Sequence, residues 1–253
     1  MVGPLNREVL VHPDLETACR ALATDVVAAG KRAFERQSRF SLVIPGGETP
    51  KTLFHQLTTE FPSDLPWKRV DVFWTDERAV GPDDPSSNFG LAQRTLLAPL
   101  GLGPPNVHRM RGERRPLGYA AREYEQVLRE FFHAEPGGVM PPTSFDFVIL
   151  GLGRDGHTAS IFPGASPSVR EGRWVEATAS APGPPRVPRI TLTPEALDRA
   201  REVAFLVGGP EKAAIVKRVL ESQLSDSSEF PAARIRATER LRWYLDAQAM
   251  RSV

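Results

Sequence analysis

Between Phe145 and Gly164 the chain reads FDFVILGLGRDGHTASIFPG, and this stretch limits the possible folds more than any other. Its first half, Phe145 to Leu150, is a short apolar run closed by a glycine. That is the form of a strand buried on both faces of a parallel sheet. Gly151, Gly153 and Gly156 then alternate with Asp155 and His157. Glycine lets the backbone reach φ > 0 and approach a ligand closely. In open α/β sheets, ligands bind beyond the carboxyl ends of the strands. His157 is therefore expected at the mouth of a site, with Asp155 two residues away.

The same glycines fit G-x-G-x-x-G, the dinucleotide fingerprint, which requires a long helix directly afterwards. Pro163 stands seven residues beyond Gly156, so only a turn or two of helix fits. The motif also lies past mid-chain rather than in a first βα unit. Both facts weigh against a dinucleotide.

Other strand ends are as unusual. Phe40–Pro45 reads as a buried strand running into Gly46-Gly47-Glu48-Thr49-Pro50 and a helix through Leu53, Phe54 and Leu57. Free N–H groups and the helix dipole favour a phosphate there. An ordinary tight turn, with Thr49 as N-cap and Pro50 at the first helical position, fits equally well. Val70–Thr75 is a third strand and ends in Asp76-Glu77-Arg78, either a solvated turn or part of a site. Asn88 or Ser87 caps a helix over 89–97; a ligand bond to Asn88 is compatible with that. Val203–Gly208 is another buried strand, followed by Gly209, Pro210 and Lys212. A lysine in a first helical turn opposes the dipole unless an anion lies between; it also reads as a solvated surface lysine.

The remaining elements are a strand at 8–12, and a helix opened by Pro13-Asp14 and closed at Gly30 or near Arg36. Further expected are a short strand at 107–110, a helix at 118–133, a strand at 189–192 with a helix opened by Pro194, a last helix at Pro231 and a final strand at 242–245. The Pro/Gly-rich 182–188 segment reads as a mobile lid or a connection.

The 253 residues suffice for one large domain or two small ones. Lys plus Arg total 32 against 31 for Asp plus Glu, which gives nucleic-acid or membrane-surface binding no support. One cysteine, Cys19, excludes an intrachain disulfide framework. With no membrane-length apolar run and no signal pattern at the start, the cytoplasm is the expected location.

Gathered together, the strand ends offer one histidine base, His157, and carboxylates at Asp76, Glu77 and Asp155. Cations stand at Arg78, Arg189 and Lys212, and N–H donors in the 46–49 turn. This set suits a small phosphorylated substrate and a proton transfer. No G-x-S-x-G elbow supports a serine nucleophile. The five histidines show no paired spacing, and no metal site is expected.

PGGETP (45–50), WTDERAV with SSN (74–80, 86–88), GLGRDGHTASIFPG (151–164), RITLT (189–193) and GGPEK (208–212) stand in an order resembling the family that joins 6-phosphogluconolactonases to glucosamine-6-phosphate deaminases. The resemblance runs nearly end to end. It implies a Rossmann-like α/β fold, with a mostly parallel sheet, helices on both faces and a small additional α/β portion, as a single domain over 1–253. It implies hydrolysis of a phosphosugar lactone, 6-phosphoglucono-δ-lactone, without an organic cofactor; a monomer with no metal, nucleic-acid or membrane partner is the accompanying expectation. His157 matches the catalytic base and Asp155 its neighbour. Gly46, Gly47, Thr49, Arg78, Arg189 and Lys212 match the phosphate end. Asp76, Glu77 and Asn88 match the motif, with roles less sharply defined. N–H groups of the 151–156 loop are candidates to hold the developing oxyanion.

Two alternatives stand beside this reading: an amino-sugar phosphate deaminase and a non-catalytic sugar-phosphate sensor. The deaminases resemble H-x-A-F-N-E-P-G at this point, and here Phe162 occupies the glutamate position. A phenyl ring relays no proton, whereas lactone hydrolysis needs only one base. A sensor has no need of His157.

Overall fold

The computed structural model describes residues 7–135, 140–164, 172–178, 185–222 and 229–251. Its strands are β1 (Arg7–His12), β2 (Phe40–Ile44), β3 (Val70–Trp74), β4 (Asp76–Arg78), β5 (Phe147–Leu150), β6 (Val175–Thr178), β7 (Arg189–Leu192), β8 (Glu202–Val207) and β9 (Arg240–Asp246). Six of them form one sheet in the order β1-β9-β8-β5-β2-β3, with every neighbouring pair parallel. The continuous apolar runs follow from this arrangement, because both faces are covered and each residue of β2, β3, β5 and β8 is buried.

Alternate residues feed two separate cores. Val148, Leu150, Val203, Phe205 and Trp243 pack on one face with Tyr124 and Leu128 of α4 (Leu117–Phe131) and with α6 (Ala213–Ser222). Phe147, Ile149, Ala204, Leu206 and Tyr244 face α1 (Leu15–Arg36) and α2 (Thr49–Thr59). The Phe205 and Trp243 rings stack at 4.0 Å. Helices therefore cover both faces, as the resemblance implied.

Local chemistry sets the helix bounds. Asp14 accepts a bond from the Thr17 N–H at 2.7 Å and starts α1. Gly30 does not end it: the helix runs on to Arg36, and a Cβ at Gly30 would strike the Leu65 side chain, so the glycine is there for packing. Ser87, not Asn88, caps α3 (Asn88–Ala92), accepting from Gly90 N at 3.0 Å. The following turn, Gln93–Leu97, is π-helical rather than a plain continuation. Thr49 is the first residue of α2, not its cap, and the preceding Glu48 makes no capping bond. The expected strand at 107–110 reduces to a single bridge between Val107 and Val72.

The smaller portion is an antiparallel sheet, β4-β7-β6, continuing from β3 after Thr75 alone. β6 was not expected. It is four residues long with one exposed side chain, too short for a period-2 pattern to show. Residues 182–184 of the proposed lid lie outside the described residues. Among the described residues, no helix is long and apolar enough to cross a membrane.

Candidate active site

β2 and β5 are neighbours, yet the chain leaves β2 toward β3 and leaves β5 toward β8 on the other side. Their carboxyl ends thus form a topological switch point, where open α/β sheets leave a crevice. A cleft of about 560 Å³ opens there, within the roughly 300–1,000 Å³ usual for small-molecule sites. Gly46, Gly47, Thr49, Asp76, Arg78, Asn88, Asp155, His157, Arg189 and Lys212 all line it.

The loop after β5 is built around His157. Gly153 N–H donates to the His157 carbonyl at 2.8 Å, Gly156 N–H to the Gly153 carbonyl at 3.0 Å, and the Thr158 hydroxyl to the Gly151 carbonyl at 2.9 Å. No helix follows: turns run to Gly164, so the dinucleotide reading loses its structural basis. His157 Nδ1 lies 2.5 Å from Asp155 Oδ1, which also accepts the His157 backbone N–H at 3.1 Å. Burial pushes the Asp155 carboxyl up, but the His157 ring and N–H bring it net below its ordinary value. An ionised Asp155 places the proton on Nδ1 and leaves the Nε2 lone pair free. A Cβ on Gly153 would stand 2.0 Å from His157 Nδ1, so only glycine admits this pose. Gly156, at φ 84°, lies under Phe230, and its carbonyl accepts from Ala232 N–H at 3.1 Å in α7 (Pro231–Arg234). The Phe162 ring sits 4.6 Å from the His157 ring.

Across the cleft, β4 pairs antiparallel with β7, with Asp76 opposite Thr191 and Arg78 opposite Arg189. Asp76 is buried. Its Oδ2 accepts from the Ser160 hydroxyl at 2.6 Å and lies 3.5 Å from Arg189 Nη1. Asn88 Nδ2 donates to the Asp76 carbonyl at 2.7 Å. Arg78 Nη1 donates to the Ser86 carbonyl at 2.6 Å. Lys212 stands on the other flank, donating to the Leu152 carbonyl at 2.6 Å; burial draws its ammonium below its ordinary pKa.

Glu77 is the one proposed site residue that does not reach the cleft. Its carboxylate turns inward and accepts from the N–H groups of Arg78, Asn88 and Phe89 and from the Ser87 hydroxyl, at 2.7–3.0 Å. Burial raises its pKa against those donors. It fastens the start of α3 to β4, a role invisible in a run of three charges. Of the 151–156 loop donors proposed for an oxyanion, the Gly153 and Gly156 N–H groups are already bonded, to the His157 and Gly153 carbonyls.

The sequence reading passed over Arg154, which lines the cleft, and Ser160. Ser160 meets Asp76 across 84 residues, a pairing with no local signal. Its backbone N–H also donates to Thr191 Oγ1 at 3.1 Å, docking the histidine loop on the small sheet. Ala159, at φ 48°, makes the turn that brings Ser160 round.

A family model described as "Glucosamine-6-phosphate isomerases/6-phosphogluconolactonase" matches residues 13–243. A 6-phosphogluconolactonase of Synechocystis is 34% identical over 97% of this chain and 94% of its own. One of Mycobacterium tuberculosis is 34% identical over 97% and 98%. The structure of a 6-phosphogluconolactonase of Thermotoga maritima superimposes with TM-score 0.80 at 27% identity, covering 95% of this chain and all of that one. That of Trypanosoma brucei gives 0.81 at 26%, covering 97% and 98%. A monomeric glucosamine-6-phosphate deaminase, at 20% identity and TM-score 0.77, shares the fold.

Proposed function

This chain belongs to the glucosamine-6-phosphate isomerase/6-phosphogluconolactonase family, and from that premise we propose that it hydrolyses 6-phospho-D-glucono-1,5-lactone to 6-phospho-D-gluconate with neutral His157 as general base. The observation that carries the mechanism is the His157–Asp155 pair, opening on the same cleft as the Gly46–Gly47 turn and the cations. His157 Nε2 takes a proton from water as the water oxygen bonds to the lactone carbonyl carbon. Asp155 holds the ring and stabilises the imidazolium that forms. The imidazolium then protonates the ring oxygen as its bond to that carbon breaks. The phosphate lies against the Gly46–Thr49 turn, where α2 begins, and against Lys212.

Phe162 against the His157 ring supports hydrolysis over deamination, since that position offers no second acid or base. The pairing of His157 with a carboxylate supports an enzyme over a sensor, which has no use for an oriented base. The reading takes the chain as one domain, monomeric and cytoplasmic. In favour of one domain, β4 continues directly from β3 after Thr75 alone.

The test is a stopped assay on freshly generated lactone, with spontaneous hydrolysis subtracted and an amino-sugar phosphate in parallel. The expected result is acceleration of lactone opening alone. His157→Ala should lower kcat about 10²–10⁴-fold; unchanged turnover removes His157 from the mechanism.

A further inference from the structure

The residue between Asp155 and His157 is held from outside the cleft. Arg154 and Asp155 are exposed, yet Gly156 is buried. Against it lies Phe230, the buried residue just before α7, which is not part of the cleft lining. A Cβ on Gly156 would stand 2.4 Å from Phe230 Cδ1, 3.0 Å from Cγ and 3.1 Å from Cβ. The root of the phenyl ring therefore rests directly on the Gly156 backbone, at the point where that backbone takes a φ of 84°.

A hydrogen bond adds a second grip. Ala232 is the second residue of α7, where an N–H has no partner within the helix. It donates instead to the Gly156 carbonyl at 3.1 Å. Among the described residues, the other backbone–backbone bonds of 153–157 stay inside the loop, from Gly156 to Gly153 and from Gly153 to His157. The peptide group is planar, so the Gly156 carbonyl and the His157 N–H are two ends of one rigid plate. Ala232 holds one end. The other end donates to Asp155 Oδ1 at 3.1 Å, the same oxygen that meets His157 Nδ1 at 2.5 Å. Rotating the plate turns the N–H off the carboxylate and carries the imidazole with it.

Phe230 is itself backed by the core. It packs in the cluster that holds Phe205 and Trp243 of the sheet with Ile215 and Val216 of α6. Arg218 of α6 lies over its ring at 4.7 Å and pairs with Glu229 at 3.0 Å. The orientation of the 156–157 peptide is thus referred to α6 and the sheet, not to the loop alone.

Resting on the lactonase reading, we propose that Phe230 is a positioning residue for the Asp155–His157 pair. Together with the Ala232 N–H it sets the plane of the 156–157 peptide from behind, and so aims the imidazole at the reacting carbon. It touches no substrate and moves no proton.

A positioning role and simple core filling make different demands on the side chain. The atoms over Gly156 are Cβ, Cγ and Cδ1, and leucine has all three; the outer ring, under Arg218, serves the core. Phe230→Leu should therefore lose Tm but keep most of kcat. Phe230→Ala should lower kcat about 10²-fold, the cost of a misplacement of about 1 Å, with KM nearly unchanged. Phe230→Val, which also lacks Cδ1 but fills more of the core, should follow alanine and decides the matter if Phe230→Ala does not fold. Ring-nitrogen NMR of protein labelled with 15N-histidine supplies a readout independent of turnover. With the rings neutral, Asp155 should hold wild-type His157 as the Nδ1–H tautomer, its signals assigned by their loss in His157→Ala. In Phe230→Ala and Phe230→Val they should move toward the Nε2–H form. His108, whose Nε2 lies 2.8 Å from Asp71, is the control and should not change. If leucine and alanine lose kcat alike, or kcat falls while His157 keeps its tautomer, or Phe230→Ala turns over normally, the proposal is overturned. A wild-type protein that does not accelerate lactone opening sinks the proposed function instead, while the tautomer still decides whether Phe230 holds the pair.

Discussion

The two ends of the parallel sheet both carry buried charge and treat it in opposite ways. At the amino end, Asp71 takes two bonds from the Arg39 guanidinium and lies 2.8 Å from His108 Nε2. Asp146 accepts from Ser41 N–H at 2.9 Å, the Ser41 hydroxyl at 2.8 Å and Gln37 at 3.0 Å, and Glu202 pairs with Arg32 at 2.5 Å. At the carboxyl end, Arg78 Nε, Arg189 Nε and Asn88 Oδ1 are buried without partners among the described residues. An unsatisfied buried polar group costs about 1–3 kcal/mol. One end saturates its polar groups and fastens the strands; the other leaves them open at the mouth of a cleft. Substitutions should therefore divide cleanly, with stability lost at the amino end and activity at the carboxyl end.

The largest effect is expected at the open end. Gly153→Ala puts a methyl group where the His157 ring now stands, and the ring must swing off Asp155. Gly153 has no positive φ, so the backbone accepts alanine. kcat should fall about 10²–10⁴-fold, as for loss of the base, with Tm close to wild type. Steady-state kinetics beside a thermal melt checks this, and full activity would mean that the ring pose does not matter. At the closed end, Asp71→Ala should cost about 3 kcal/mol in urea unfolding, the low side of the range for breaking a buried ion pair. The low side applies because Arg39 is 46% exposed and can hydrate. Its kcat should be unchanged; a large drop would join the two ends and break the comparison.

Asp198 gives the closed end a pH signature. It follows α5 (Pro194–Leu197), just before β8, and accepts the Arg236 N–H at 2.8 Å. Burial pushes its carboxyl up to about 7, with the Arg236 N–H and charge pulling the other way. A raised carboxyl pKa means that the native state holds a proton which the unfolded chain has lost. The associated stability is complete below about pH 4, the unfolded value, and is lost as pH rises toward 7. The loss should be on the order of 2 kcal/mol, well inside the 1.36 kcal/mol per unit that linkage allows. Asp198→Asn should flatten the dependence in urea titrations at pH 5 and 8; a slope equal to wild type would place the titrating group elsewhere.

What the sequence revealed divides along a similar line. The strands of the large sheet announce themselves, because burial on both faces demands unbroken apolar runs, and Phe147–Leu150 or Val203–Val207 can be little else. Their glycine-rich exits marked the cleft, and His157 with Asp155 was visible because the pair is local. The small sheet was half hidden. β6 is short and partly exposed, and Asp76-Glu77-Arg78 conceals two fates in one charged run, since Asp76 faces the cleft while Glu77 turns into the protein. No reading of neighbours predicts that Ser160 bonds Asp76, or that two arginines 111 residues apart become cross-strand partners. Contacts of that kind are set by how the two sheets dock, which is a property of the whole chain.

The smallest effect is expected at Asn88, where the open end is one hydrogen bond deep. Its Nδ2 is fixed to the Asp76 carbonyl, so its Oδ1 is an acceptor held in place, and it lies where a Cβ on Gly46 would be. If a substrate hydroxyl donates to it, Asn88→Ala should lose about 0.5–1.5 kcal/mol of binding, roughly a 3–10-fold rise in KM, with kcat nearly kept. Gly46→Ala should displace the same side chain and raise KM by a similar factor. The double variant then distinguishes a shared cause from two separate ones. Residues acting through one contact are not additive, so Gly46→Ala/Asn88→Ala should resemble either single change. Multiplicative KM effects would show that Gly46 serves the ligand through its own backbone, and that the glycine is small for the phosphate rather than for the asparagine.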